Sequence, residues 1–531
     1  MKFNQSVEGV HTTTNFEQGK AYKFVNPIKE LTIRISSYLV GEPKFYGDSK
    51  TEYNEMLALI KEVAKKDPEY ILKLAVYARK ELNLRSAPIM LLGEASIIDD
   101  CKPFVKSYTN HIIIRADELT EVMAYLISRI GDIGDKRDKG SMPYCLKVGL
   151  RKTFSKFTEY HFSKYDNSRS TIKLKDVIRV VHPKAPEDKI DLFKQVYSDH
   201  IPVNKDTWEY IISNEGSNDA SWSKAVYKMP IFALIRNLRN ILAHDVGDKA
   251  IQHALDTIMS ESVITKSKLF PFRFLTAYKM LEKGNIELVD DNVYKINMKE
   301  RGRYNTKPNM NTTKFMDALQ QAIEISVNNI PKFEGKTAIL IDVSGSMTGQ
   351  KISKNSVVEP IEIASLFGAM LHRLNESNII LIYSTDLGLV NLSKKNGLLA
   401  NAKVIAENEI SGSGTEANKA LLYLIQEKIK LDRIIVLSDE QSFTGGYSES
   451  FGECWNRYKS QINKDCWMYS INLMGYPTVQ TPDTDPRGIR IGGWSDKILN
   501  FISLIEKDPN AQINHINGIN INNEVSTKSI G

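Results

Sequence analysis

Between about residues 50 and 330 the apolar positions recur with the spacing of one face of an α-helix, and no alternating pattern is sustained. Leu119, Val122, Met123, Leu126, Ile127 and Ile130 fall at offsets 0, 3, 4, 7, 8 and 11, which puts all six on one stripe. Asp67-Pro68-Glu69 supplies a capping side chain, a first-turn proline and a first-turn acid, and predicts a helix carrying Ile71, Leu74, Ala75 and Ala78. Met229-Pro230 predicts another over IFALIRNLRNIL, and Lys268-Leu269-Phe270-Pro271 introduces a third over FRFLTAYKML. Many helices joined by short Pro-, Asn- and Gly-containing connections predict an α-solenoid of helix pairs, although no strict sequence period accompanies them.

After about residue 335 the pattern changes. TAILIDV, NIILIYS, RIIVLSD and CWMYSINL are short β-rich apolar runs, and the helical stretches EPIEIASLFGAMLHRL and TEANKALLYLIQEKI lie between them. Alternation of this kind predicts a parallel, doubly wound α/β sheet with helices on both faces, in a module of residues 333–531 that follows an all-α module of residues 1–332. Ligands of such sheets bind at the carboxyl ends of the strands.

Composition adds limits to this picture. A chain of 531 residues exceeds one ordinary core, and 42% hydrophobic with 25% charged residues is the balance of a soluble globular protein. No apolar run is long enough to span a bilayer, and the N-terminus lacks the apolar centre of a signal peptide, so a cytosolic location is expected. Cys101, Cys145, Cys454 and Cys466 show no C-x-x-C spacing and read as free buried thiols. Residues 1–330 hold 50 Lys and Arg against 42 Asp and Glu, whereas residues 331–531 hold 20 against 22. Within the first part, Lys147 to Lys184 contains ten basic residues and three acids. A phosphate backbone suits such a stretch, because neutralising it releases counterions. A solvated surface explains the charge equally well.

The chemistry concentrates in AILIDVSGSM. A buried strand ends at Asp342, and Ser344 and Ser346 follow at alternate positions, so a carboxylate and two hydroxyls converge. Thr415, in SGSGTEANKAL, opens a helix after a glycine-rich loop, and Asp439, in RIIVLSDEQSF, ends another strand. Helix capping accounts for any one of these residues alone. All five in this order point to a hard cation such as Mg²⁺, which takes oxygen ligands and keeps waters. Gly335-Lys336-Thr337 imitates the tail of a phosphate-binding loop, but Ile330 stands where its first glycine is needed and a strand follows instead of a helix.

The D-x-S-x-S run, with its downstream Thr and Asp, resembles the metal-ion-dependent adhesion site of von Willebrand factor A domains over about residues 335–505. The resemblance implies direct coordination of Mg²⁺ or another divalent cation by Ser344, Ser346 and Thr415. Asp342 and Asp439 would act mostly through water, with an open position for the carboxylate of an acidic protein partner. That is a binding site, not a catalytic one. No Ser/His/Asp nucleophile set, carboxylate cluster of the nuclease type or nucleotide loop is visible in the sequence, so an enzyme is not expected.

The helical part carries a second resemblance. GKAYKF, ELNLRSAPIMLLGE, KLKDVIRVVHPKAP, MPIFALIRNLRNI and LFPFRFLTAYKM, with SDEQSFTGG and DPRGIRIGGW downstream, are similar to the TROVE module and A domain of the Ro autoantigen family. This resemblance implies a ring of HEAT-like helical repeats closed by the A domain, in a monomer. Such a protein holds small structured Y-type noncoding RNA on its outer face and single-stranded 3′ ends of misfolded RNA in a central hole. RNA quality control or ribonucleoprotein assembly would be its role, with an exoribonuclease as a candidate protein partner. Lys164 in HFSKYD and His182 in VVHPK resemble the family's Y-RNA contacts, with one residue more between them than the family pattern has. Arg169, Lys173 and Lys175 lie between them. Lys147, Arg151 and Lys152 are either further phosphate contacts or the solvated side of a helix. Arg236 and Arg239, three apart on one expected helix, either clamp phosphate or pair with acids of a neighbouring repeat. The rival reading is a protein-interaction adaptor, with a protein-binding solenoid and an acidic partner at the metal site.

Overall fold

The computed structural model describes residues 12–14, 20–22, 24, 26–37, 49–131, 142–165, 170–201, 205, 207–267, 269–284, 287–290, 293–295, 310–330, 332, 334–348, 351, 357–407, 410, 414–443, 449–474, 476, 480–481, 485, 487–492, 498, 502, 506 and 511–521. They fall into two compact units, one of residues 26–204 with 507–531 and one of residues 1–25 with 205–506.

The first unit is helical. Helix Pro68–Lys80 begins as its sequence predicts, with Asp67 Oδ1 accepting from the Tyr70 N–H at 3.1 Å and proline in the first turn. Ile71, Leu74, Ala75 and Ala78 are fully buried on it. Helix Asp117–Ile130 buries Leu119, Val122, Met123 and Leu126, while Ile127 and Ile130 at the margin of the stripe are half-buried. Helix Ser86–Ile97 is apolar almost all round, which places it inside the unit. Helix Ala511–Asn517 also belongs here: Ile516 is fully buried in the same core, and His515 Nε2 stands 2.6 Å from Glu81 Oε1. The tail expected with residues 333–531 therefore packs with residues 26–204, because its apolar side finds its cover among these helices.

In the other unit the helices Trp208–Glu215, Asp219–Val226, Asp248–Met259, Pro271–Gly284 and Met310–Ser326 are grouped with a sheet. The single helix expected over IFALIRNLRNIL is two, Ile231–Arg236 and Leu238–Ala243. The N–H of Asn237 is shared between the carbonyls of Ala233 and Leu234, and its side-chain Nδ2 donates to the Ala233 carbonyl at 2.9 Å. Competition of this kind between an Asn side chain and the helical ladder tightens the turn and ends the helix. Two antiparallel ribbons were not anticipated, β1 (Thr12–Thr14) with β2 (Lys20–Tyr22) and β3 (Glu287–Asp290) with β4 (Val293–Lys295).

The sheet has six strands: β5 (Thr337–Asp342), β6 (Asn378–Tyr383), β7 (Leu387–Val390), β8 (Arg433–Ser438), β9 (Trp467–Asn472) and β10 (Gly488–Gly492). Their order is β10-β9-β8-β5-β6-β7, and all neighbours are parallel except β6 and β7. The expected parallel sheet thus has an antiparallel edge, formed where Ser384 N–H donates to the Asp386 carbonyl and turns the chain back. Helix Pro360–Leu374 covers one face. A Cβ on its Gly368 would lie 2.5 Å from Ile341 Cδ1, so glycine lets helix and strand approach. The opposite face, with Ala338 and Leu340, packs on Leu421 and Leu424 of helix Asn418–Gln426 and on Trp455 and Tyr458 of helix Phe451–Gln461. Phe272 stacks on Phe367 at 5.8 Å and Lys279 pairs with Glu362 at 3.1 Å. Helices from before residue 332 are thereby part of the unit that holds the sheet. Among the described residues no helix is long and apolar enough to cross a membrane.

Candidate functional site

Parallel pairing fixes the first site. Ile341 is in register with Leu437, so Asp342 on β5 and Ser438 on β8 reach the carboxyl edge side by side. Asp342 Oδ2 accepts from Ser438 Oγ at 2.7 Å and its Oδ1 from the Ser344 N–H at 2.9 Å. A 3₁₀ turn over Gly345–Met347 follows, and it brings Ser346 Oγ to 3.3 Å from Ser344 Oγ. Thr415 is strapped to the same edge from two sides. Its carbonyl accepts from Phe443 N–H, beyond β8, at 2.7 Å, and the next N–H, of Glu416, donates to Ser384 at the end of β6 at 2.7 Å. Asp439 Oδ1 accepts from the Gln441 N–H at 3.0 Å. Asp342, Ser344, Ser346, Thr415 and Asp439 are each no more than 3% exposed.

Electrostatics ties these groups together. The Tyr383 phenol is pushed well above its ordinary range, first by burial and then by the negative charge of Asp342, with Asp439 and Glu440 adding to it. Glu440, in left-handed backbone at φ 61°, is fully enclosed, and burial raises its carboxyl to about 7 against the opposing pull of Arg490 and the Gln480 N–H. Sequence patterning missed Glu440 and Ser438, which lie beside the motif and carry no spacing of their own. Three hydroxyls and two carboxylates thus lie buried at the carboxyl edge of the sheet, with Asp342, Ser344 and Ser346 in mutual contact, and oxygen donors of this kind are what a hard divalent cation takes. Among the described residues no group of three His, Cys, Asp or Glu offers a rival site.

The basic candidates behave less uniformly. Arg151, on helix Tyr144–Phe154, donates from Nε to the Val181 carbonyl at 2.7 Å, which joins that helix to the end of helix Leu174–Val181 and sets His182 beside it. His182 is exposed and ends its helix in left-handed backbone at φ 52°. Lys152 is exposed and Lys147 half-buried. Lys173 and Lys175 converge on one oxygen, Asp199 Oδ2, at 3.4 and 2.7 Å. Lys164 donates to the Tyr160 hydroxyl at 2.9 Å and lies over the Tyr160 ring. Arg169 lies outside the described residues. Arg236 and Arg239 are exposed but belong to the other compact unit, on separate helices across the Asn237 break, so one helix face does not carry both. Arg236 lies 5.6 Å above the Phe232 ring. A pair missed in the sequence is Arg179 over Tyr197 at 4.9 Å, a cation on an exposed aromatic brought together across 18 residues.

Comparison with known proteins extends these geometries. The TROVE domain model matches residues 31–202 and 201–335, and the Ro60 vWA domain model matches residues 336–504. The chain is 20% identical over 582 residues to telomerase protein component 1 of Rattus norvegicus, covering 82% of this chain and 22% of that protein. It therefore spans only about a fifth of the length of that relative. It is also 20% identical over 342 residues to RNA-binding protein RO60 of Caenorhabditis elegans, covering 62% of this chain and 48% of the relative. With RNA-binding protein RO60 of Deinococcus radiodurans the identity is 21% over 216 residues, 40% and 37% of the two chains. The crystal structure of the Deinococcus radiodurans RO (RSR) protein superposes with a TM-score of 0.64 at 14% identity, covering 91% of this chain and all of that one, which establishes a shared fold. With TROVE helices followed by a Ro60-type vWA sheet, the chain belongs to the Ro family of TROVE proteins.

Proposed function

We propose that the chain is an RNA-binding protein that holds small structured noncoding RNA on the basic surface around helices Tyr144–Phe154 and Leu174–Val181. Single-stranded 3′ ends of misfolded RNA would enter a central hole of the TROVE ring, in the service of RNA quality control or ribonucleoprotein assembly. The observation that carries the reading is the succession of TROVE and Ro60 vWA matches across residues 31–504. Two of the relatives are named RNA-binding proteins. Exposed Lys152, Arg179 and Lys184 supply cations at that surface, His182 supplies an imidazole that can hydrogen-bond, and Tyr197 supplies a ring on which a base can stack.

The carboxyl edge of the sheet would hold Mg²⁺ through the hydroxyls of Ser344, Ser346 and Thr415, with Asp342 and Asp439 acting through water. There the ion supplies a Lewis-acidic coordination position for the carboxylate of a protein partner. Filter binding of a structured RNA at rising salt tests the RNA reading. Affinity should fall steeply between about 50 and 200 mM salt, and Lys152→Glu with His182→Ala should weaken binding without changing the melting temperature. A salt-independent affinity, or none, would favour the adaptor reading, in which only the metal site takes a partner.

A further inference from the structure

We propose that Ser217, His244 and Asp219 form a nucleophile–base–acid relay that accepts acyl groups from activated carboxylic esters. Ser217 Oγ lies 3.1 Å from His244 Nε2, and His244 Nδ1 lies 3.1 Å from Asp219 Oδ1. One assignment of protons satisfies every contact. Nδ1–H donates to Asp219, Nε2 accepts from the Ser217 hydroxyl, and Ser217 Oγ accepts from Trp222 Nε1–H at 2.9 Å. A neutral imidazole is then oriented to take the serine proton, with a carboxylate behind it to offset the charge it gains.

Rigid surroundings hold the three groups. The His244 ring stacks on Trp222, which is 3% exposed, with centroids 5.8 Å apart and planes 20° apart. Asp219 Oδ1 also accepts from the Asp245 N–H at 3.1 Å, which fixes the carboxylate independently of the imidazole. Helix capping does not account for the arrangement. Helix Asp219–Val226 is capped by Asn218, whose Oδ1 accepts from the Ser221 N–H at 2.9 Å, so the helix makes no use of Ser217 or His244 for that purpose. Ser217 is exposed, and the Asp219 side chain is 60% exposed. An ester can reach the exposed hydroxyl, and the three side chains named select no particular acyl group. The substrate class is therefore small esters with good leaving groups.

In the first step Ser217 Oγ attacks the carbonyl carbon while its proton moves to His244 Nε2. The bond from carbon to the leaving oxygen breaks, and that oxygen departs with the proton, leaving an acyl-serine. Water then attacks the same carbon and gives a proton to Nε2, which returns it to Oγ as the carboxylic acid leaves. No oxidant, reductant or metal is needed, and the proposal is independent of RNA binding.

A fluorophosphonate tests the first step on the full chain: Oγ bonds to phosphorus, fluoride leaves, and peptide mass mapping locates the adduct. Ser217 should label at least tenfold faster than any other serine, and p-nitrophenyl acetate should acetylate the same residue. His244→Gln should slow labelling about 100-fold, the lower end of what a positioned general base contributes. Asp219→Asn should slow it about tenfold at this exposed site, well short of the loss seen in buried triads. Should His244→Gln fail to fold, wild-type protein in urea gives the same comparison, because a relay-dependent serine loses its reactivity on unfolding. An absent Ser217 adduct, or a labelling rate unchanged by His244→Gln or by urea, would overturn the assignment.

Discussion

Asp199 occupies left-handed backbone at φ 63° directly after helix Ile190–Ser198, and there its carboxylate meets both Lys173 and Lys175. Hydrogen bonding from Lys175 and then Lys173 holds that carboxyl below its ordinary range. A phosphate arriving at either lysine must therefore displace an internal anion. Exposed pairs of this sort are weak and screened by salt, so displacement is feasible but not free. Asp199→Asn should tighten structured-RNA binding about two- to fivefold at low salt and steepen the dependence on salt, because one internal counterion has been removed from the site. Unchanged affinity in filter binding would remove Lys173 and Lys175 from the RNA surface. The sequence displays the two lysines plainly. Their partner, 24 and 26 residues downstream, becomes visible only once helices Leu174–Val181 and Ile190–Ser198 are packed. The same limit hid Ser217 and His244, whose juxtaposition spans 27 residues and leaves no local spacing to read.

At the scale of elements, patterns that repeat were legible and patterns that do not repeat were not. Strands β5, β6, β8 and β9 are continuous apolar runs, as central parallel strands must be, and they lie where the sequence predicts them. Edge strands β7 and β10 were missed: LGLV is half-buried with no alternation, and GIRIG contains two glycines in five residues. Lys156 shows how an element can depend on one residue outside it. Its ammonium donates to the carbonyls of Asn110, at 2.6 Å, and Ile113, so it closes the carboxyl end of helix Lys102–Ile112. Lys156→Met should cost about 1–2 kcal/mol at pH 7, since two carbonyls lose their donor. Burial lowers this ammonium from 10.5 to about 8. Between those values the unfolded chain holds more protons at this position than the folded chain, so folding gains stability as pH rises through the window. The stability gap between wild type and Lys156→Met, read from urea melts, should thus widen from pH 8 toward 10.5. A constant gap would mean that the amine titrates alike in both states.

For the whole molecule, the order of modules is legible because helical and strand periodicities change abruptly near residue 335, whereas the compact units do not respect that point. Helix–sheet packing through Phe272 and Phe367 and the return of helix Ala511–Asn517 to the first unit depend on contacts across long sequence separations. The separation that matters for function is one of charge. The basic excess lies in residues 1–330, while residues 331–531 carry 20 basic against 22 acidic residues and contain the buried carboxylates Asp342 and Asp439. A site that gathers buried acids attracts a divalent cation and repels phosphate, so metal and RNA should bind through different residues. Asp342→Ala removes a carboxylate that positions both Ser344 and Ser438 through hydrogen bonds of 2.9 and 2.7 Å. Calorimetric titration of the variant with Mg²⁺ or Mn²⁺ should show binding lost or weakened at least 100-fold. Its affinity for structured RNA at fixed salt should stay within about twofold of wild type, because the cations assigned to phosphate are other residues, in the other compact unit. Loss of RNA binding in a variant with an unchanged melting temperature would show that the two sites are coupled. In that case the cation would act as part of the RNA surface and not as a docking point for a protein carboxylate.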